Sequence, residues 1–178
     1  MKVQLNNTPE YLKKHGLFCL WKYEERDGRR TKVPYNPRTL RRGDSTDKSA
    51  FVSFPEIVTI WEQCKDHFDG IGIGVFDQIG AIDIDHCYQA GRLSELAQDI
   101  IRQIDSYTEI SPSGEGIRIF FGVLKTDWYS KEKYFINNRE LGLEIYLPGT
   151  TNRFLTFTGN LIHETDSRKN SSGSSCIE

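Results

Sequence analysis

Asp83 and Asp85 stand two residues apart in "IGAIDIDHC" (79–87), with Ile82 and Ile84 in the alternate positions. In an extended strand, side chains alternate faces, so both carboxylates emerge on one face roughly 6–7 Å apart while the isoleucines enter the core. Like charges at that spacing repel, and a divalent cation bridging them makes the arrangement favourable. Hard cations such as Mg²⁺ take carboxylate oxygens and keep positions for water or substrate phosphates. The same alternation in "LEIYL" (143–147) puts Leu143, Ile145 and Leu147 on one face and Glu144 with Tyr146 on the other, so Glu144 is a candidate third ligand.

Residues suited to phosphate lie in "SPSGEGIRIFF" (111–121). Ser111 and Ser113 offer hydroxyls, and Gly114 and Gly116 let backbone amides approach an anion closely. Ile117, Ile119 and Phe121 share one strand face, which leaves Arg118 beside Phe120 on the other, where a guanidinium would bind phosphate. Other chemistries fail. There is no GxxxxGK[ST] loop, and "GIGIG" (70–74) sits inside a strand pattern, so neither a P-loop nor a dinucleotide fingerprint is present. Cys64, His67, His86 and Cys87 have irregular spacing for zinc, and no Ser-His-Asp or Cys-His arrangement is suggested.

These residues need strands to carry them. "GLFCLWKYE" (16–24) and "DGRRTKVPY" (27–35) read as a hairpin, and 36–53 as a long loop. "FPEIVTIWEQCKDHF" (54–68) has helical spacing with Pro55 in its first turn. "DGIGIGVF" and "IGAIDID" are two strands around a short turn at Asp77 and Gln78. Leu93, Leu96, Ala97, Ile100, Ile101 and Ile104 line one face of a helix. Strands follow at 106–110, 117–124, 143–147 and 153–159; residues 125–140 have no assignable element. The tail "TDSRKNSSGSSCIE" has linker composition and is expected to be disordered.

The chain of 178 residues suits one substantial core, or a core with a small attached lobe. No apolar run approaches the roughly 20 residues that cross a bilayer, and the N-terminus lacks a signal-peptide core. With four scattered cysteines, a reduced, cytoplasmic protein is expected. Net charge is −2, yet residues 22–48 hold nine Lys/Arg against five Asp/Glu, which is +4 and leaves −6 elsewhere. A basic lobe facing an anionic partner and an acidic site able to hold metal would produce that asymmetry.

In order, "KVPY", "DGIGIGV", "AIDIDHC", "YTEISPSGEGIRIFF", "LEIY" and "RFLTFTG" resemble the primase-polymerase domain of phage and plasmid replication proteins, within the archaeo-eukaryotic primase superfamily. The resemblance covers about residues 17–162. It implies that Asp83 and Asp85 form the metal-binding DxD motif and Glu144 the acidic residue of the third motif, together holding two Mg²⁺ or Mn²⁺ ions. The second motif of the family runs Ser-Gly-x-Gly-x-His. Ser113, Gly114 and Gly116 match it, while Arg118 stands where the His that contacts the triphosphate is expected. Lys32 and Arg153 are implied as nucleotide or template contacts.

The implied architecture is α+β. An RRM-like mixed or antiparallel sheet carries Asp83, Asp85, Arg118 and Glu144 and packs with helices, and a smaller N-terminal α/β lobe completes a domain over residues 1–165. The implied activity is template-directed nucleotidyl transfer, as primase, DNA polymerase or both, in replication of a phage or mobile element. Template single-stranded DNA would meet the basic segment, including Arg29, Arg30, Arg38, Arg41 and Arg42, of which Arg29 and Arg30 could instead serve the triphosphate. Trp21, Tyr23 and Tyr35 are possible stacking surfaces, although core packing suits such strand aromatics better. A helicase domain beyond the Ser-rich tail is a further expected partner, with no membrane association. Two rival functions use the same residues: a non-catalytic module binding DNA or nucleotide, and a metal-dependent nuclease.

Overall fold

A computed structural model describes residues 3–124, 137–151 and 153–163. In chain order the elements are α1 (Glu10–His15), β1 (Phe18–Arg26), β2 (Arg29–Asn36), β3 (Arg41–Arg42), α2 (Phe54–Cys64), β4 (Gly70–Gly74), β5 (Ile79–Ile84), β6 (Tyr88–Gln89), β7 (Arg92–Leu93), α3 (Glu95–Ile104), β8 (Thr108–Ile110), β9 (Ile117–Gly122), β10 (Asn137–Asn138), β11 (Leu143–Tyr146), β12 (Phe154–Phe157) and β13 (Leu161–His163). The chain is α+β, built on two antiparallel sheets. The first has the order β12-β4-β1-β2-β3 and the second β10-β11-β5-β9-β8-β13, while β6 and β7 form a separate ribbon. Among the described residues, no helix is long and apolar enough to cross a membrane.

The hairpin expected at 16–35 forms, with Arg26 opposite Arg29 at its tip. The supposed loop over 36–53 is more structured than its composition suggests. It contains β3, which pairs with β2, and a single 3-10 turn at Lys48–Ala50 whose first amides are met by Asp47. α2 buries Ile57, Trp61 and Cys64 and ends at Cys64, short of the expected Phe68. α3 starts behind Ser94, whose Oγ accepts from Ala97 N at 3.3 Å, and ends at Asp105 in a left-handed conformation.

β4 and β5 are consecutive strands but do not pair. β4 joins the first sheet and β5 the second. The connection buries Val75 and Phe76 and then makes an exposed turn at Asp77 and Gln78, closed by Ile79 N donating to Phe76 O at 2.9 Å, after which β5 pairs with β9 and β11 and not with β4. The glycines of β4 serve close packing. A Cβ on Gly70 would lie 2.7 Å from Trp21 Nε1, and one on Gly72 would lie 2.6 Å from Phe154 Cδ2, so neighbouring rings lie across the strand where side chains would otherwise stand. The first sheet is also not purely N-terminal, because β12 forms its edge.

One hydrophobic cluster joins the sheets. Phe18, Leu20, Ile71, Ile73, Leu155 and Phe157 from the first pack with Ile79, Ala81, Tyr107, Phe120 and Tyr146 from the second, and with Ile57 and Trp61 of α2. Phe157 sits at its centre, stacked on Tyr107 at 5.9 Å and tilted against Phe120 at 6.0 Å. A second cluster lies on the far face of the second sheet, where Ile82, Ile84, Ile117, Ile119 and Leu143 meet Ala97 and Ile101 of α3. Full burial of such side chains contributes about 1.5–3 kcal/mol each, so the second sheet is held on both faces. The expected tail at 166–178 and most of the unassigned stretch 125–140 lie outside the described residues.

Candidate active site

The registers of β11, β5, β9 and β8 place Glu144 opposite Asp83, Asp83 opposite Arg118, and Arg118 opposite Glu109. Neighbouring strands run about 4.8 Å apart, so these four ionisable groups form one line across four strands. They share the sheet face with Ala81, Phe120 and Tyr146, which are one alternation away and belong to the core. One face therefore changes from apolar to ionic within two residues of β5. Glu109 is the member that sequence reasoning missed. Alternation puts it with Tyr107, but nothing within "SYTEI" shows that its strand pairs with the one bearing Arg118.

Arg118 is 4% exposed, and its guanidinium is committed inside the protein. Nη1 donates to Thr156 O at 3.1 Å and also to Thr156 Oγ1. Nη2 donates to Asp83 Oδ2 at 3.4 Å, and Nε lies 3.3 Å from Asp83 Oδ1. That last approach is an ion pair without hydrogen-bond geometry, so Asp83 Oδ1 and Arg118 Nε are buried with no hydrogen bond. Glu109 is fully buried and accepts from Thr158 N at 2.9 Å, Gly159 N at 2.8 Å and Tyr107 OH at 3.0 Å. Burial still pushes its carboxyl up to about 7, against the pull of those donors and of Arg118.

The carboxylates act on one another. Burial raises Asp83 above the ordinary range and Asp85 adds to it, while Arg118 and Lys32 oppose. Glu144 is raised by burial and then by Asp83 and Asp85, with Arg153 and Asn137 opposing. Lys32 is lowered by burial and by Arg118, and held up by Asp83 and Asp85, so its ammonium faces the same cluster.

Asp85 is not on the strand. β5 ends at Ile84, and Asp85 is exposed one residue later, its N–H donating to Gly142 O at 2.9 Å. Two glycines close on its backbone. A Cβ on Gly116 would lie 3.3 Å from Asp85 Cα, and one on Gly142, which has φ +62°, would lie 2.9 Å from Asp85 O. The "SPSGEG" turn thereby packs against the second aspartate. Ser111 N donates to Gly116 O at 2.8 Å and Gly114 N to Ser111 O at 3.0 Å, while Ser113 and Gly114 stay exposed.

Asp83, Asp85 and Glu144 offer hard oxygen donors, and the buried Asp83 Oδ1, which accepts no hydrogen bond, with the mutual repulsion of the three suits a divalent cation. Glu144 also accepts from Asn137 Nδ2 at 2.9 Å and from Tyr146 OH. Among the described residues, no three of His, Cys, Asp and Glu already converge as a metal-ligand cluster.

Arg153 is exposed, 5.8 Å from the Tyr146 ring, and close enough to Glu144 to favour its ionised form. The five arginines expected to meet template lie on the hairpin of the first sheet and its extension. Arg38 makes a two-pronged pair with Glu56 at 2.8 and 2.9 Å, and Arg42 pairs with Glu24. Arg29 and Arg41 are exposed with no ion pair among the described residues, and Arg30 stacks over the Tyr23 ring at 3.8 Å. Of the three aromatics, Trp21 is core, 3% exposed and bonded to Ile71 O at 3.1 Å. Tyr35 packs on Phe68 and donates to Glu24 at 2.6 Å. Tyr23 instead joins Arg30, Asp69, Pro112 and Thr158 in lining a groove of about 200 Å³.

No family model matches the chain. Over 160 residues, 89% of its length, it is 30% identical to a protein named DNA Primase-polymerase from Nitratiruptor phage NrS-1, and it spans 21% of that relative. The similarity, over a stretch that includes the carboxylate row and the Ser-Gly turn, supports a primase-polymerase-like domain in this chain.

Proposed function

We propose that the domain performs template-directed nucleotidyl transfer, as primase, DNA polymerase or both, in the replication of a phage or mobile element. The observation that carries this reading is the coupling of Asp83, Asp85 and Glu144 beside the Ser-Gly turn. The name of the phage relative agrees with it. The three carboxylates would hold Mg²⁺ or Mn²⁺, two ions in this reading, which supply charge neutralisation at the attacking hydroxyl and at the leaving pyrophosphate. Lys32 and the exposed turn residues Ser113 and Gly114 would meet the triphosphate. Arg153 offsets the charge of Glu144.

Single-stranded template would run along the hairpin. Arg29 and Arg41 meet its phosphates, Arg30 on Tyr23 offers a flat cationic surface for a base, and Arg38 and Arg42 would exchange their carboxylate partners for phosphates. A helicase domain is the expected partner of such an activity.

One observation favours a second reading, a non-catalytic module: Arg118 already neutralises Asp83 from within. Incubating the protein with single-stranded template, labelled nucleotides and Mg²⁺ or Mn²⁺, with and without primer, separates the two. Strands that disappear in Asp83→Asn establish transfer. Metal-dependent nucleotide binding without product establishes the module.

A further inference from the structure

The Ser-Gly turn and the carboxylates leave two buried ionisable groups without a task, Arg118 and Glu109. Both touch the segment where the chain leaves β12 of the first sheet for β13 of the second. Arg118 holds Thr156, and Glu109 holds the amides of Thr158 and Gly159 two and three residues later. Thr158 Oγ1 adds a bond to Ile110 O at 2.7 Å. The crossing is thus tied to β8 and β9 from both ends.

We infer that Glu109 and Arg118 form a buried clamp that fixes β12 against the second sheet and, through the remaining face of the guanidinium, aims the Asp83 carboxylate. Arg118 is then a positioning residue and not a ligand of the triphosphate. A guanidinium has five N–H donors in one rigid plane. Here Nη1 gives two hydrogen bonds to Thr156, Nη2 gives one to Asp83 Oδ2 and Nε lies 3.3 Å from Asp83 Oδ1, so all three nitrogens already face β12 or Asp83. Its 4% exposure agrees. Glu109 stands on the far side of Arg118 in the row and accepts from Thr158, Gly159 and Tyr107, so Arg118 lies between two carboxyl groups. The inference rests on the proposed role of Asp83 as a metal ligand.

Two charge-conserving substitutions in the whole chain test it. Arg118→Lys keeps the charge but loses the fork, and Thr156→Val keeps the shape but removes the hydroxyl acceptor. Mn²⁺ affinity, read by titration calorimetry without nucleotide, is compared with kcat and nucleotide KM, with circular dichroism as the check of folding. Expected is an Mn²⁺ affinity lowered about 10- to 100-fold in Arg118→Lys, a smaller drop in Thr156→Val, and a nucleotide KM within about twofold of the parent. Should Arg118→Lys fail to fold, Thr156→Val decides. Unchanged Mn²⁺ affinity in the folded variants overturns the clamp, and a raised KM with unchanged Mn²⁺ affinity places Arg118 on the triphosphate instead. A parent protein that binds no Mn²⁺ overturns the inference and the metal reading together. A parent that binds Mn²⁺ but makes no strand overturns the polymerase reading alone, and the affinity comparison still decides the clamp.

Discussion

Charge is handled in opposite ways on the two sheets. On the first, Arg38 pairs with Glu56 at the surface, and Arg42 is likewise exposed although its partner Glu24 is largely covered. On the second, Arg118 is removed from water and balanced by Asp83 and Glu109 in a single row. Exposed pairs contribute about 0–1 kcal/mol because solvent screens them and two long side chains must be ordered. Buried ions repay their desolvation only when each partner is present. Nine cations concentrated in residues 22–48 thus say less about the structure than one cation at 118.

The sharpest way to break this contrast is Arg118→Ala, which strands Asp83 in the interior. It should cost about 3–5 kcal/mol in denaturant unfolding, and a cost below 1 kcal/mol would show that the row is far wetter than its burial indicates. Glu109 makes the next largest difference, through pH. Its folded carboxyl titrates near 7, above the unfolded value of about 4.5, so the folded state holds a proton that the unfolded state has lost. The stability it contributes is present below pH about 4.5 and is lost as pH rises through about 7. Melting curves should therefore show the parent losing up to about 3 kcal/mol relative to Glu109→Gln across that window. A flat difference would mean that the donors of Thr158, Gly159 and Tyr107 outweigh burial.

On the hairpin the expected effects are small in stability and visible in binding. Arg29→Ala should leave stability within about 0.5 kcal/mol, yet reduce the salt slope of single-stranded DNA binding by about 0.7, the share of one phosphate contact. An unaltered slope would remove Arg29 from the template path. Arg38→Ala should likewise cost less than about 1 kcal/mol in denaturant unfolding, and less still in high salt.

The longer strands, both main helices and the separation of Asp83 and of Glu144 from the apolar face of each one's own strand were legible in the sequence, because alternation and helical spacing are local, whereas the short strands β3, β6, β7, β10 and β13 were not. What was not legible depends on pairing. Glu109 became part of the row only when β8 lay beside β9, and Arg118 became a buried clamp only when β12 approached from the other sheet. Asp85 fell off the end of β5 because Gly116 and Gly142 close on its backbone, a contact between three distant segments. In "DGIGIGVFDQIGAIDID" the short polar pair Asp77 and Gln78 does form the turn between two apolar runs, and only the pairing of β4 with β1 and β12, and of β5 with β9 and β11, shows that the chain changes sheet there.

The late arrival of β12 has a consequence for the order of folding. β4 can pair with β1 soon after synthesis, but its other edge stays bare until residues 154–157 arrive about eighty positions later. Such distant pairing is slow, and a bare edge of alternating Gly and Ile invites pairing with other chains. Nascent chains stopped before Phe154 should aggregate through that edge, and the clamp beneath Thr156 closes only when the last strands are in place.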